Sequence, residues 1–211
     1  MRDAVVERLR RARPEARIVH ELNSAGTGSI RFDIAAISRD EIVVVEIKSR
    51  LDKLDRLDHQ VPAMLGCSHY AIACLDEKFL VESENLCQAM RPTVSSKPAC
   101  KFVPSSVRKL GAAVWIYPQD VGVTLRERAW LFPSSAFGQP LPEAALEMLW
   151  ADELRSLCNL LRISWGRRSN MSALRNAIRW HATGQEITKG ICRELRARTF
   201  SQADAPVLED A

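Results

Sequence analysis

Residues 30–50 have the sequence IRFDIAAISRDEIVVVEIKSR, and this stretch decides the fold. Residues 30–37 and 42–47 are rich in β-branched and other apolar side chains, and the polar residues 38–41 separate them. Two β-prone runs with a short polar connection are typical of a hairpin. The pattern therefore predicts two antiparallel strands.

The second run carries a carboxylate and an amine two positions apart. Because side chains alternate along a strand, Glu46 and Lys48 should share one face while Ile47 points to the other. The alternation therefore predicts a carboxylate and an ammonium group side by side.

Asp33 is an acid in an otherwise apolar run, and alternation groups it with Arg31 and Ala35. Three apolar side chains should lie on the opposite face: Phe32, Ile34 and Ala36. A buried, unpaired carboxylate is costly unless a positive partner or a metal offsets its charge. If the hairpin register brings Asp33 beside Glu46, the two acids repel unless a cation lies between them. Magnesium is the natural candidate because it prefers carboxylate, water and phosphate oxygens.

The flanking segments complete an α/β pattern. An amphipathic helix is predicted over residues 2–13, ended by Pro14, and a short strand over residues 18–22. From residue 51 to 65 the apolar spacing becomes helical, with Pro62 expected to kink or shorten that helix. The apolar run 70–75 then fits a strand that follows a parallel crossover. The predicted order is αβββαβ around a mixed central sheet.

FDIAAI followed by VVVEIKS, with thirteen positions from acid to acid, resembles the Asp…Glu-x-Lys motif of PD-(D/E)XK nucleases. The resemblance spans residues 15–75 and includes the helix and strand after the motif. Phe32 stands where the motif has its proline, which leaves the chemistry unchanged. The resemblance implies a restriction-endonuclease-like α/β core.

The resemblance also implies roles for individual residues. Asp33 and Glu46 would bind Mg²⁺, for which Mn²⁺ can substitute, and the backbone carbonyl of Ile47 would add a ligand. Lys48 would position or deprotonate the attacking water and neutralise charge on the phosphate. An ordinary structural ion pair at a sheet edge is the alternative, which the apolar sequence VVVEI disfavours.

Two further positions follow from the same resemblance. An upstream glutamate often completes such a site, and Glu21, at the end of the first short strand, is preferred to Glu7 on the first helix. A glutamine on the helix after the motif often faces the site, and Gln60 is its counterpart here.

Basic residues after the motif are candidates for contact with a nucleic-acid backbone. Arg50, Lys53 and Arg56 recur at intervals of three. The alternative is a solvated helix face on which they pair with Asp52, Asp55 and Asp58.

The middle of the chain has weaker patterns. A helix is expected near residues 79–90, and a second hairpin from residues 111–117 and 122–126. Residues 132–142, with three prolines, have the composition of a linker. We therefore predict a nuclease-like domain over residues 1–140 and a helical, basic region over residues 141–211.

The C-terminal region carries the positive charge of the chain, with ten basic and four acidic residues between positions 150 and 200. Two apolar stripes interrupted by GRRS at residues 166–169 predict a helix, a basic turn and a second helix, which resembles a SAP-type DNA-binding hairpin. Arg162, Arg167 and Arg168 would then contact phosphates. A helical cap over the sheet is the alternative. The acidic tail after Gln202 is expected to be frayed.

Composition is compatible with a polyanionic partner. The 211 residues carry a formal charge of +4, and no apolar run approaches the length of a membrane span. A cytoplasmic location is expected. The six scattered cysteines form no Cys-x-x-Cys pair, which predicts reduced and mostly buried thiols and disfavours an iron–sulfur cluster.

The resemblance to PD-(D/E)XK nucleases implies a metal-dependent nuclease that hydrolyses nucleic acid, with DNA preferred. The alternative is a catalytically inactive nuclease fold that binds DNA or recruits a partner. No histidine cluster supports another kind of metal hydrolase, and nothing in the sequence indicates a homodimer.

Overall fold

The computed structural model describes residues 1–24, 30–82, 101–119, 125–132 and 138–208. Its α-helices are α1 (Arg2–Ala12), α2 (Leu57–Cys67), α3 (Ser105–Arg108), α4 (Leu125–Arg128), α5 (Ala151–Leu160), α6 (Met171–His181) and α7 (Gly184–Ala197). Its strands are β1 (Arg17–Asn23), β2 (Arg31–Ile37), β3 (Ile42–Lys48), β4 (Tyr70–Asp76), β5 (Val81–Glu82), β6 (Lys101–Phe102), β7 (Ala113–Tyr117) and β8 (Ala203–Asp204).

The described strands form a mixed six-stranded sheet in the order β7-β4-β3-β2-β1-β8. Strand β2 pairs antiparallel with both β1 and β3, and β1 pairs antiparallel with β8, whereas β4 pairs parallel with both β3 and β7. A second, two-stranded sheet joins β5 and β6. The predicted α/β class, the mixed sheet and the order αβββαβ from α1 to β4 are confirmed.

Both faces of the central strands are buried, and each face belongs to a different apolar cluster. Along β3, Ile42 and Val44 pack on the face covered by α2, whereas Val43 and Val45 pack on the face covered by α1. This arrangement explains the continuous run VVV, because a strand covered on both sides does not alternate with polar residues.

Helix α1 agrees with the prediction. Val5 and Leu9 are fully buried on one side of it, and it ends at Ala12, shortly before Pro14.

Helix α2 begins at Leu57, so the predicted start at residue 51 is wrong. The segment before it forms a turn, in which the Asp52 carboxylate accepts a 2.8 Å hydrogen bond from the backbone N–H of Ser49. Such side-chain bonds compete with helical ones, which is why the periodic spacing did not produce a helix here. Pro62 lies inside α2.

Two predictions for the middle of the chain are wrong where residues are described. Glu77–Phe79 is a 3-10 turn and Val81–Glu82 is strand β5, so no helix begins near residue 79; residues 83–100 lie outside the described residues.

The predicted strand 111–117 corresponds to β7, but β7 joins β4 in parallel, and Leu125–Arg128 is helical. Trp115 and Ile116 are fully buried where β7 pairs with β4, and the burial of this apolar surface favours a place in the central sheet. Residues 120–124 of the predicted hairpin, and 133–137 of the predicted linker, also lie outside the described residues.

Two C-terminal helices follow the predicted stripes, but a third, α7, was not predicted separately. The apolar sides of α5, α6 and α7 belong to the same buried cluster as the α2 face of the sheet. A Cβ atom on Gly190 would lie 2.2 Å from Cδ1 of Leu157, so glycine is required where α7 crosses α5. These helices therefore cover one face of the sheet.

The predicted frayed tail is wrong as far as residue 208. Ala203–Asp204 pairs antiparallel with β1, and the backbone N–H groups of Val207 and Leu208 donate to the carbonyl of Pro14 at 2.8 and 3.0 Å. The unpaired edge of β1 offers hydrogen-bonding groups that the tail satisfies. Residues 209–211 lie outside the described residues.

Four described cysteines are unpaired and buried, as predicted: Cys67, Cys74, Cys158 and Cys192. Burial raises the pKa of Cys67 to about 11 and the pKa of Cys74 to about 12. Cys87 and Cys100 lie outside the described residues. Among the helices that the structure describes, none has both the length and the apolar character to cross a bilayer.

Candidate active site

A cleft of about 650 Å³ opens where β1, β2 and β3 meet the start of α2. It contains all five side chains that were predicted as catalytic groups or metal ligands, which come from four separate elements, namely Glu21, Asp33, Glu46, Lys48 and Gln60. The cleft is also lined by Met1, Arg2, Asn23, Arg31, Ile47, Ser49, Asp52 and Arg56.

The two carboxylates are brought together by the hairpin. The β2–β3 pairing runs from Ile37↔Ile42 to Ile34↔Val45, and the next position in this register would align Asp33 with Glu46. At that position Oδ2 of Asp33 accepts a 2.7 Å hydrogen bond from the backbone N–H of Ile47. The first acid is thereby attached to the strand that carries the second.

An irregularity in β1 and β2 lies beside Asp33. Glu21 has a left-handed backbone with φ of +60°. It lies opposite Asp33 in the β1–β2 register, but these two residues do not pair, so the pairing of the two strands is interrupted there. Phe32 consequently packs with Ala35 on the α2 face, whereas Ile34 packs on the opposite face. The predicted grouping of Phe32 with Ile34 is therefore wrong, because strict alternation fails at this irregularity.

Glu46, Lys48 and Gln60 form a buried hydrogen-bonded triangle. The ammonium group of Lys48 donates to Oε1 of Glu46 at 2.8 Å and to Oε1 of Gln60 at 2.7 Å. The amide of Gln60 donates to the same Glu46 oxygen at 2.5 Å. The predicted shared face of Glu46 and Lys48 is confirmed, with Ile47 on the other face.

The second oxygen of Glu46 distinguishes this site from a satisfied ion pair. Oε2 is buried and has no hydrogen-bond partner among the described residues. Burial, followed by the negative charge of Asp33, raises the pKa of Glu46. Burial also raises the pKa of Asp33, against the effects of the Ile47 N–H and Arg2. Both ionised acids would be stabilised by an additional cation.

The donor set fits a hard divalent cation. Asp33 and Glu46 supply carboxylate oxygens, and Mg²⁺ commonly binds through one or two carboxylates while it keeps several waters. Within the described ranges, no three His, Cys, Asp or Glu side chains converge as a metal-binding group. Two carboxylates, together with water and substrate oxygens, are a ligand set of the kind that Mg²⁺ accepts.

Glu21 lies in the cleft, but both of its oxygens contact arginines. Oε1 lies 2.9 Å from Nη2 of Arg2, and Oε2 lies 2.6 Å from Nε of Arg31. The same Nη2 atom lies 3.7 Å from Oδ1 of Asp33. Glu7, the less favoured alternative, instead forms an exposed ion pair with Arg11.

Sequence reasoning missed both arginines as site residues. The sequence could have indicated Arg31, because it lies two positions before Asp33 on the same strand. No local sequence pattern could have indicated Arg2, because its approach to the cleft depends on how α1 packs against the sheet.

The predicted phosphate-binding residues separate into two groups. Arg56 lines the cleft, whereas Arg50 and Lys53 are exposed in the turn before α2 and do not line it. These three residues precede α2, so they do not lie on a helix. Both predictions for them, a phosphate-binding helix face and a solvated helix face, therefore lack the helix that they assumed. The exposed residues Arg162, Arg167 and Arg168 lie in the connection between α5 and α6, outside the cleft.

The chain was compared with protein-family models, with curated proteins and with solved structures, and none of the three comparisons gives a match. Its function is therefore inferred from the chemistry of the cleft.

Proposed function

We propose that this chain is a metal-dependent nuclease with a restriction-endonuclease-like core, which hydrolyses phosphodiester bonds of nucleic acid, with DNA as the preferred substrate. The observation that carries the proposal is the unpartnered, buried Oε2 atom of Glu46, beside a second acid and a buried lysine. Cytoplasmic location and a role in DNA repair, processing or defence belong to the same proposal.

Asp33 and Glu46 are the residues that would hold the cation. A bound divalent cation supplies Lewis acidity and lowers the pKa of a coordinated water. The hydrogen bond from Ile47 restrains the Asp33 carboxylate, and the bonds from Lys48 and Gln60 restrain the Glu46 carboxylate. This restraint reduces the reorganisation that binding would otherwise require.

Lys48 is positioned to act on the reacting phosphate and water. Glu46 and Gln60 accept two of the three hydrogen bonds that its ammonium group can donate, which leaves one N–H for water or a phosphate oxygen. A fixed positive charge at this position stabilises the negative charge that develops on the phosphate. In the overall reaction a water oxygen bonds to phosphorus, one P–O ester bond breaks, and the leaving oxygen takes a proton.

A second candidate function is a catalytically inactive fold that binds nucleic acid or recruits a partner. The observation in its favour is the position of Arg2, whose guanidinium lies 3.7 Å from Asp33 and supplies a positive charge there without a metal. The two candidates make opposite predictions about cleavage.

The deciding experiment incubates wild-type protein with plasmid, linear and branched DNA in Mg²⁺, in Mn²⁺ or in chelator. Lys48→Ala is the test variant, and Lys109→Ala is the matched control because that lysine is exposed outside the cleft. We expect metal-dependent cleavage by the wild type and the control, and a loss of at least about 100-fold in Lys48→Ala. Binding without cleavage of any substrate by the wild type would favour the second candidate.

A further inference from the structure

We infer that Arg2 and Arg31 form a phosphate-binding subsite at the rim of the cleft, and that Glu21 positions these two arginines and is not a metal ligand. The ligand is a phosphate group of a nucleic-acid strand. The inference rests on the proposed function, because the subsite would hold the strand whose cleavage the neighbouring carboxylates support.

The geometry is that of two guanidiniums bridged by one carboxylate. Each oxygen of Glu21 contacts a different arginine, at 2.9 Å for Arg2 and 2.6 Å for Arg31. Two positive charges and one negative charge give the three side chains a net charge of +1. The remaining positive charge faces Asp33, whose Oδ1 lies 3.7 Å from Nη2 of Arg2. This distance is longer than a hydrogen bond, so an incoming phosphate anion can still bind these guanidiniums directly.

Both guanidiniums retain the means to bind that anion. Each has five N–H donors, and the contacts with Glu21 involve Nη2 of Arg2 and Nε of Arg31. The side chains are 38% and 61% exposed and line the same cleft, so an incoming phosphate can reach them. Guanidinium groups suit phosphate because their N–H groups match two of its oxygens at once.

The backbone of Glu21 supports a functional reading of this arrangement. A left-handed φ of +60° is unfavourable for glutamate, and it coincides with the interruption of the β1–β2 pairing. Backbone strain of this kind concentrates at functional sites. Here the strained residue presents its carboxylate to Arg2 and Arg31.

The subsite adjoins the carboxylate pair. Nη2 of Arg2 lies 3.7 Å from Oδ1 of Asp33, so a phosphate held by the arginines would be close to one bound at the carboxylates. Two phosphates of one strand can therefore bind along the cleft. In contrast, a metal bound by Glu21 would share an oxygen that already contacts an arginine, and the metal and that guanidinium would repel each other.

The first experiment measures binding in chelator, where no cleavage occurs. Fluorescent single-stranded oligonucleotides of one sequence, with a 5′-phosphate or a 5′-hydroxyl, are titrated at several salt concentrations and followed by anisotropy. The proteins are wild type, Arg2→Gln, Arg31→Gln and the control Arg11→Gln. Arg11 lies on α1 in an exposed pair with Glu7, and its loss changes the charge equally.

We expect Arg2→Gln and Arg31→Gln each to weaken binding several-fold, and Arg11→Gln to leave it unchanged. Each lost phosphate contact should reduce the slope of log K against log salt by roughly 0.7. A loss confined to the 5′-phosphorylated strand assigns the subsite to a terminal phosphate, and an equal loss on both strands assigns it to an internal one. Wild-type affinity and slope in both cleft variants, or no binding by the wild type, would overturn the inference.

The second experiment tests the role of Glu21 by calorimetric titration with Mn²⁺. Glu21→Gln should bind Mn²⁺ within about twofold of wild type while its oligonucleotide affinity changes; Asp33→Asn is the comparison that should lose Mn²⁺ affinity. A loss in Glu21→Gln as large as in Asp33→Asn would make Glu21 a metal ligand and overturn its positioning role.

The two proposals fail in different ways. Oligonucleotide binding that depends on Arg31, without any cleavage, would reject the nuclease proposal and keep the subsite. Cleavage that proceeds with an unchanged KM in Arg31→Gln would keep the nuclease and reject the subsite.

Discussion

The carboxylate of Asp33 accepts a 2.7 Å hydrogen bond from the backbone N–H of Ile47, on the neighbouring strand. This bond holds one acid of the site against the strand that carries Glu46 and Lys48. It also satisfies a backbone donor at the point where the regular β2–β3 pairing ends. Asp33 therefore has a structural role and, in the proposed function, a chemical one.

Replacing Asp33 should separate these two roles. Asn keeps an oxygen acceptor for the Ile47 N–H and removes the charge, whereas Ala removes both. We expect Asp33→Asn to raise Tm at pH 7 by about 2–4 °C, and Asp33→Ala to lower the free energy of unfolding by about 1–3 kcal/mol. Thermal and denaturant unfolding measure the two effects.

The raised pKa of Asp33 determines how the effect of Asp33→Asn on stability changes with pH. Burial raises the pKa of Asp33 above its ordinary value of 3.8, so the folded state binds its proton more tightly than the unfolded state does. The stability that the protonated Asp33 side chain contributes to the folded state is fully present below pH 3.8. It is lost as pH rises through the pKa of Asp33 in the folded state. The advantage of Asp33→Asn should therefore shrink on acidification. An advantage that grows at low pH would contradict this account.

Arg2→Gln should strengthen metal binding, because the guanidinium beside Asp33 repels a divalent cation. We expect an increase in Mn²⁺ affinity of roughly 3- to 10-fold after solvent screening of a partly exposed charge. Calorimetry on the protein without nucleic acid measures it. Arg31→Gln is the control, because Arg31 contacts Glu21 and lies outside the Asp33 ion pair. Equal affinities in wild type and Arg2→Gln would count against the repulsion.

Gln60→Ala should lower kcat with little change in KM. Gln60 contacts both Lys48 and Glu46, so its loss leaves the ammonium group less restrained. A decrease of roughly 10- to 100-fold is typical when a residue that orients a metal site is lost. His59→Ala, an exposed substitution on the same helix, should leave both constants unchanged. A change confined to KM would assign Gln60 to substrate binding.

Gly190→Ala should destabilise the protein by about 1–3 kcal/mol, because the new methyl group would overlap Leu157 where α7 crosses α5. Gly66→Ala on α2 is the matched control. Its Cβ would lie 3.8 Å from that of Ala144, and alanine favours a helix by about 0.5–1 kcal/mol. Chemical denaturation should therefore show opposite shifts. A stabilised Gly190→Ala variant would mean that α7 can move away from α5.

Local patterns predicted the elements whose neighbours are close in sequence. The amphipathic spacing of α1, the β2–β3 hairpin and the common face of Glu46 and Lys48 all depend on helical or strand periodicity over a few residues. The crossover through α2 to β4 also followed, since a helix between two buried strands favours a parallel connection.

Tertiary structure decided the features that depend on distant partners. The pairing of β8 with β1 needs an open sheet edge far away in the sequence. The turn before α2 is also held from a distance, because the ammonium group of Lys78 donates a 2.8 Å hydrogen bond to the carbonyl of Asp52. Likewise, the strained backbone at Glu21 reversed the side of Phe32, which alternation alone assigned wrongly.

The candidate site likewise combines features that local sequence predicts with features that depend on the tertiary structure. The sequence by itself determined that Glu46 and Lys48 share one face of β3, because side chains alternate along a regular strand, whereas alternation did not hold around Asp33. Only the tertiary structure brought Arg2 to Asp33 and both Arg2 and Arg31 to Glu21. The physical reason is that an ion pair depends on distance in space, which local periodicity does not specify for residues on separate elements.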